Sequence, residues 1–218
     1  MKKAFAYGGV AASVVLVAFG IGSLVVGFMG RSEVQSNIAR EHIVGSPDMT
    51  PTAIKVEAKK AGLVVSKLDI PGMSVAGKAI DTGDEAKAFA GYMRIHTLEA
   101  TGGFPYAQMG RFEAKPGTPA KFLAEGGGTD DPTYAVVDPK TQQPAANAAR
   151  NIWVTETALT TALNTSFFAE RVALWSVVMG TALLLTGIGF LVLTLGGALG
   201  TLPVPRRLRR PQPAATTT

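Results

Sequence analysis

The chain contains no cysteine among its 218 residues. Disulfides, a thiol nucleophile and lipid attachment through a cysteine are therefore all excluded. The glycine-rich stretches lack the Lys-Ser/Thr pair of a phosphate-binding loop, and no serine lies in a Gly-x-Ser-x-Gly motif. The sequence thus carries none of these catalytic signatures.

Acidic residues are absent from both ends of the chain, since all 16 lie between Glu33 and Glu170. Residues 4–30 and 172–205 carry no charge at all. A bilayer core about 30 Å thick is crossed by roughly 20 helical residues. We therefore predict membrane spans at residues 4–30 and 171–202, with the lipid bilayer as their partner. A cleaved signal peptide is the alternative for the first stretch, but its apolar core is usually shorter and an A-x-A site is missing here.

Basic residues close both apolar stretches, and short basic flanks stay on the cytoplasmic side of a membrane. We expect residues 1–3 and the disordered tail 203–218 to be cytoplasmic, and residues 31–170 to be extracytoplasmic. The formal charge of +5 then reflects orientation, and no basic face with interleaved aromatic residues predicts a nucleic-acid partner. The flanking residues are Lys2, Lys3, Arg206, Arg207, Arg209 and Arg210.

Small residues recur four positions apart in both apolar stretches, as in the pairs Ala18/Gly22 and Gly196/Gly200. Such pairs allow two helix backbones to approach closely. They predict that the two spans pack on each other, with homo-oligomerisation through these faces as the alternative. Neither apolar stretch, 4–30 or 172–205, holds a charged residue, so transport through this chain alone is disfavoured.

The central segment has the start and stop signals of helices. Thr50 before Pro51 is typical of a helix start, and Thr82 with Glu85 has the form of a capping box. Residues 33–42 are expected to continue the first span as a helix. The β-branched residues 63–70 predict a strand, residues 134–138 a short hairpin, and the Gly/Pro-rich stretch 104–144 the least ordered part.

From about residue 145 a helical period persists into the second span without a proline or glycine to break it. We predict one long helix whose apolar stripe packs against the helix that contains Phe89 and Met93, with Ile38 approaching residues 163–167. The fold class is therefore a mainly α membrane protein, with two spans flanking a helical domain. The stripe consists of Ile152, Leu159, Leu163 and Phe167.

The only two histidines, His42 and His96, are candidate metal ligands, with Glu41 or Glu99 as a nearby third ligand. This site requires two separate helices to face each other, which the sequence does not enforce. The aspartates beside the triple glycine 126–128 lack the ligand spacing of a calcium loop and are expected to form a solvated turn. Those aspartates are Asp130, Asp131 and Asp138.

Two segments, AREHIVGSPDMTP at residues 39–51 and NIWVTETALTTALNT at residues 151–165, resemble a group of actinobacterial two-span membrane proteins of unknown function. The resemblance extends from the first span to the second and implies a bacterial plasma membrane. Members are sometimes labelled aromatic ring-opening dioxygenases. Those enzymes are soluble and metal-dependent, and none of their catalytic motifs matches this sequence, so the resemblance transfers no catalytic residue.

The sequence favours a membrane protein without enzymatic activity or cofactor, whose extracytoplasmic domain binds a membrane or envelope protein. The supporting features are the small-residue faces, the apolar stripe and the lack of a catalytic constellation. The alternative is a membrane-anchored, metal-dependent enzyme that uses His42 and His96.

Overall fold

The computed structural model describes residues 2–196, and the backbone alone for residues 2–6. The predicted cytoplasmic tail 203–218, with its four arginines, and the end of the second predicted span lie outside the described residues. The described chain is mainly helical and divides into two compact units. The span unit is Met1–Gly27 with Trp175–Thr218, and the central unit is Phe28–Leu174.

Four α-helices form the framework of residues 2–196, and short 3₁₀ turns lie between them. The helices are α1 (Lys2–Ala39), α2 (Pro51–Lys60), α3 (Gly83–Ala100) and α4 (Ala148–Leu195). The 48 residues of α4 are continuous, which confirms the prediction of one long helix.

Two helical stretches, Tyr7–Ala39 and Ala148–Leu195, are long and apolar enough to cross a membrane. Only 11% and 17% of their most apolar windows are buried. Large apolar side chains such as Phe19 and Leu185 are exposed, and so is Trp175. A core helix of a soluble protein would bury such side chains, so these helices have the composition and exposure that suit lipid.

Glycines bring the two helices of the span unit into backbone contact. A Cβ atom at Gly20 would lie 2.6 Å from the Leu184 amide nitrogen, and one at Gly180 would lie 2.8 Å from that of Leu24. These distances are shorter than any side chain tolerates, so the predicted packing of the two apolar helices on each other is confirmed here. Gly22, by contrast, has no neighbour within 4 Å. It lines an apolar groove of about 500 Å³ on the span unit.

The first helix ends earlier than its sequence predicts. Helix α1 stops at Ala39, and His42 has a left-handed backbone with φ 51°. The chain then lies beside the segment before α3, where the Gly45 amide donates to the Lys78 carbonyl at 2.9 Å. The prediction of helix up to residue 42 is therefore wrong by three residues.

The predicted starts of α2 and α3 are confirmed. The Thr50 hydroxyl accepts from the Ala53 amide at 3.0 Å. At α3 the Thr82 hydroxyl accepts from the Glu85 amide, and the Glu85 carboxylate accepts from the Thr82 amide. Both arrangements satisfy amide groups that the first turn of a helix leaves unpaired.

No β-strand forms within residues 2–196, although isolated bridges occur. The predicted strand at residues 63–70 is wrong, because this segment contains the 3₁₀ turn Val65–Lys67 and has no partner strand. The predicted hairpin at residues 134–138 is reduced to two isolated antiparallel bridges, between Val137 and Pro144 and between Ala135 and Ala114. Backbone hydrogen bonds connect the segment 104–147, for example from Phe112 to Thr129 at 3.0 Å. That residues 104–144 are the least ordered part stays a prediction.

One apolar cluster forms the core of the central unit. It includes Ile38 of α1, Phe89 of α3 and Leu163 of α4, with Met93 and Leu159 packed against it. The predicted packing of the α4 stripe on α3, and of Ile38 in the same region, is thereby confirmed. The stripe prediction is wrong at one position, because Ile152 is 41% exposed while its neighbour Trp153 is 2% exposed. The remaining buried members include Met49, Ile54, Ala58, Val75, Ile80, Tyr92 and Ile95.

A buried carboxylate joins three helices in the central unit. Glu170 of α4 accepts hydrogen bonds from Arg31 Nε at 3.0 Å and from Gln35 Nε2 at 2.9 Å, both on α1. Its other oxygen accepts from the Gly83 amide at the start of α3, at 2.5 Å. The unpaired amide groups and positive dipole end of α3 thus face a full negative charge, which is a stabilising arrangement.

Gly83 is required for this contact. A Cβ atom there would lie 2.6 Å from Glu170 Oε2 and 3.0 Å from Phe167 Cα. No side chain fits between the end of α3 and the backbone of α4. The missing Cβ is therefore what allows a main-chain amide, rather than a side chain, to reach the carboxylate.

Substitution of the span-unit glycines tests the backbone contact. We expect Gly180→Leu to destabilise the chain by about 1–3 kcal/mol, the usual cost of overpacking, because its side chain meets Leu24 at once. The matched control is Gly189→Leu in the same helix, where nothing lies within 4 Å. Thermal unfolding of the full chain in detergent, followed by circular dichroism, measures both. Equal effects of the two variants would contradict the contact.

Removal of the Glu170 charge tests the three-helix junction. We expect Glu170→Gln to lower the free energy of unfolding by about 1.5–3 kcal/mol, since the amide loses charged hydrogen bonds and turns an N–H toward a buried donor. Glu33→Gln, an exposed position on α1, is the control and should have little effect. Chemical denaturation in mixed micelles measures both variants. An unchanged midpoint for Glu170→Gln would show that the junction contributes nothing to stability.

Candidate functional site

The structure separates the four candidate metal ligands predicted from the sequence. Glu41 and His42 follow the end of α1 and are exposed. His96 and Glu99 lie three residues apart on α3 and are half-buried, so they share one face of that helix. Among the described residues, the group of ligand atoms that surrounds His96 does not include His42.

His96 instead lies in a cluster with two carboxylates. Its ligand atom and those of Asp48 and Glu57 all lie within 4.8 Å of one another. The shortest ion-pair distance, from His96 Nε2 to Asp48 Oδ2, is 3.1 Å. The three residues come from the loop before α2, from α2 and from α3. The fold of the central unit, and not a local motif, therefore assembles the cluster.

Local structure positions each member of this cluster. The Ser46 hydroxyl donates to the Asp48 carboxylate, and the Met49 amide donates to the Ser46 carbonyl at 3.0 Å. Glu57 is carried by α2, whose buried Ile54 and Ala58 lie in the apolar cluster. These contacts fix the loop and α2 on the same side of α3 as His96.

The pKa values of two carboxyl groups in this region are shifted in opposite directions. The Ser46 hydrogen bond, with the neighbouring His96, holds the pKa of Asp48 below its usual value. Burial raises the pKa of Glu99, and the nearby Glu57 and Asp48 carboxylates add to this effect while His96 opposes it. The pKa of Asp48 is thus lowered mainly by a hydrogen bond, and that of Glu99 is raised mainly by burial.

Two buried polar atoms of this region lack a hydrogen-bond partner. Glu99 Oε1 is one of them, and His96 Nε2 is the other. The Nε2 atom is close to Asp48 Oδ2, but the contact is not aligned as a hydrogen bond. An imidazole nitrogen and carboxylate oxygens are the donor atoms that divalent transition metals use in proteins. The arrangement can hold such a cation.

The sequence alone does not reveal Asp48 and Glu57. Asp48 follows Ser46-Pro47, where it is typical of a turn, and Glu57 lies four residues before Ala61 in a short helix. The spacing of nine residues between them matches no metal motif. The available signal was the face shared by His96 and Glu99, which marks α3 as one wall of a polar site.

An apolar groove of about 460 Å³ opens on another part of the central unit. Val154 is 55% exposed, and Tyr106 is 42% exposed. The Trp153 indole nitrogen donates to the Phe104 carbonyl at 3.0 Å, which fixes the floor of the groove. The lining consists of Tyr106, Trp153, Val154, Thr157, Ala158 and Thr161.

A positively charged side chain, that of Arg150, lies beside this groove. The Arg150 guanidinium is 4.1 Å from the centre of the Tyr106 ring, a cation–π distance. Its Nε atom is buried and has no hydrogen-bond partner. The groove therefore combines apolar walls with a positive charge at the Tyr106 end.

The aspartates near the triple glycine pair with groups of their own loop segment. Asp130 pairs with Arg111 at 3.2 Å, and Asp131 and Asp138 accept from the amides of Thr133 and Lys140. Hydrogen bonds from the Arg111 amide and side chain hold the pKa of Asp130 below its usual value. The carboxylates act as turn caps, in agreement with the predicted solvated turn.

No protein-family model, curated protein or solved structure matches this chain.

Proposed function

We propose that the chain is an integral membrane protein with two spans, at residues 4–30 and 171–202. Both termini are cytoplasmic, and residues 31–170 lie outside. Two helices of sufficient length and apolar character support the spans. The basic residues beyond each apolar stretch, including Lys2 and Lys3, support the orientation. The proposed location is a bacterial plasma membrane, which the resemblance to actinobacterial two-span proteins supports.

The proposed activity is binding of another protein, without a reaction of its own. The observation that carries this proposal is the exposed apolar groove beside Arg150. Exposed apolar surfaces with a polar edge are typical of protein-binding sites. The six residues that line the groove offer hydroxyl groups but no carboxylate, imidazole or amine. They are therefore better suited to contact than to acid–base chemistry.

The occupant is a segment of a membrane or envelope protein that presents apolar side chains together with a carboxylate. The apolar side chains match the walls at Val154 and Ala158. The carboxylate matches Arg150, whose buried Nε has no hydrogen-bond partner. A charge-assisted pair of this kind stabilises a complex when its partners are removed from water.

The orientation is tested by reporters at two sites. A fluorescent protein that folds only in the cytoplasm should be active when fused after Thr218. Alkaline phosphatase, which requires an oxidising compartment, should be active only when inserted near Gly127. The insertion should be tolerated there because this glycine lies in an exposed turn. The opposite pattern at either site would contradict the two-span orientation.

The groove is tested by site-specific photocrosslinking in source-cell membranes. A photoreactive residue at Val154 should form an adduct with one defined protein, because this side chain is exposed at the groove. The same probe at Thr155, which is exposed on α4 but does not line the groove, is the matched control. Ala158→Trp should abolish the Val154 adduct by filling the groove, and Arg150→Gln should weaken it at least about fivefold, equivalent to about 1 kcal/mol.

Three outcomes would contradict this proposal. These are no protein adduct from Val154, an equally strong adduct from Thr155, and an adduct that persists in Ala158→Trp. An adduct with a second copy of this chain would replace the proposed partner by self-association.

A further inference from the structure

We infer that Asp48, Glu57 and His96 form a binding site for one divalent first-row transition-metal cation, with Glu99 as a third carboxylate beside it. This site goes beyond the proposed protein-binding function and does not depend on it, because the groove and the cluster share no residue. The donor set is one imidazole nitrogen and two carboxylates, from three different elements of the central unit.

The distances suit a metal ion. Ligand atoms about 2.0–2.2 Å from a tetrahedral ion lie roughly 3.3–3.6 Å from one another. The ligand atoms of the three residues are all within 4.8 Å of one another, and one pair is at 3.1 Å. Asp48 and Glu57 are half-buried, so neither side chain is fully enclosed by its neighbours. Small side-chain rotations therefore bring the three ligands to coordinating distance without a change in the backbone.

The side chains of the site carry surplus negative charge, which favours binding of a cation. Within the described residues, neither Glu57 nor Glu99 forms an ion pair with a lysine or arginine, and the ion-pair partner of Asp48 is His96. Three carboxylates around one imidazole leave surplus negative charge. Like charges at this separation repel one another, and a bound divalent ion offsets that repulsion.

Two buried polar atoms of the cluster have no hydrogen-bond partner, as expected of atoms that bind a metal ion. The buried His96 Nε2 has no hydrogen-bond partner, although it is 3.1 Å from a carboxylate. Glu99 Oε1 is also buried without a partner, one turn along the same helix. Buried polar atoms are nearly always paired. A cation between the side chains would satisfy the imidazole nitrogen, and the Glu99 oxygen could bind the ion or one of its waters.

The donor types indicate the class of metal. Calcium and magnesium prefer oxygen ligands alone, whereas an imidazole favours zinc and its neighbours in the first transition row. Zinc is the probe with the simplest chemistry, since it has no redox activity. Cobalt can replace it and reports its coordination by visible absorption.

The experiment uses the full chain in detergent, purified through a tag without histidine and stripped with a chelator. Titration with zinc chloride, followed by calorimetry and by metal analysis after desalting, should give one zinc per chain. Calcium and magnesium at the same concentration should not compete. Cobalt should bind with visible bands that zinc displaces.

Variants distinguish this site from adventitious binding. His96→Gln, Glu57→Gln and Asp48→Asn should each weaken zinc binding by at least about tenfold, the lower end for loss of a supporting residue. The matched controls His42→Asn and Glu41→Gln change the same residue types at exposed positions and should bind zinc as the parent does. Asparagine is chosen for His42 because it tolerates a left-handed backbone.

The inference is overturned if no zinc remains bound after desalting, if His96→Gln binds zinc as tightly as the parent, or if His42→Asn loses it equally. Circular dichroism and melting curves identify any variant that does not fold. If His96→Gln is such a variant, the half-buried carboxylate variants at positions 48 and 57 decide the outcome by the same criterion.

Discussion

The burial of one carboxylate, that of Glu170, is the constraint on which the central unit depends. Removing this charge from water costs several kcal/mol unless donors replace the lost hydration. Three donors do so here, from Arg31, Gln35 and the Gly83 amide. At the other end of α3, the Trp153 indole donates to the Phe104 carbonyl. Helix α3 and residues 153–170 of α4 each contain 18 residues and each span about 27 Å at 1.5 Å per residue. The two contacts therefore hold α3 along α4 at both of its ends.

Local signals account for the parts of the fold that the sequence predicts well. The caps of α2 and α3 depend on residues three positions apart, and the long α4 depends on the absence of a breaker. The two apolar helices follow from length and charge alone. The strand predicted at residues 63–70 failed for a tertiary reason, because a β-branched segment becomes a strand only when another strand pairs with it. Trp153 is buried where Ile152 was expected, and its indole nitrogen has hydrogen-bond partners there.

The polar sites are less predictable, because they depend on where chain segments meet. His96 and Glu99 could be recognised as one helix face, but the partners of His96 lie 48 and 39 positions earlier in the chain. The sequence offered His42 by residue type alone, and the turn after α1 leaves that side chain exposed. The groove required knowledge that Tyr106 of the loop lies beside α4. Residue type therefore suggests the chemistry, whereas the distant contacts of the fold decide which residues share it.

The two tryptophans provide one intrinsic fluorescent probe in each of the two units. Trp153 is buried in the central unit with Arg94 over its ring, and Trp175 is 64% exposed on an apolar helix of the span unit. Indole emission shifts with the polarity around the ring, so each residue reports on its own unit. With Trp153 replaced by phenylalanine, the remaining fluorescence comes from the span unit alone. Unfolding of one unit can thus be observed separately from the other in the same molecule, without attaching a dye.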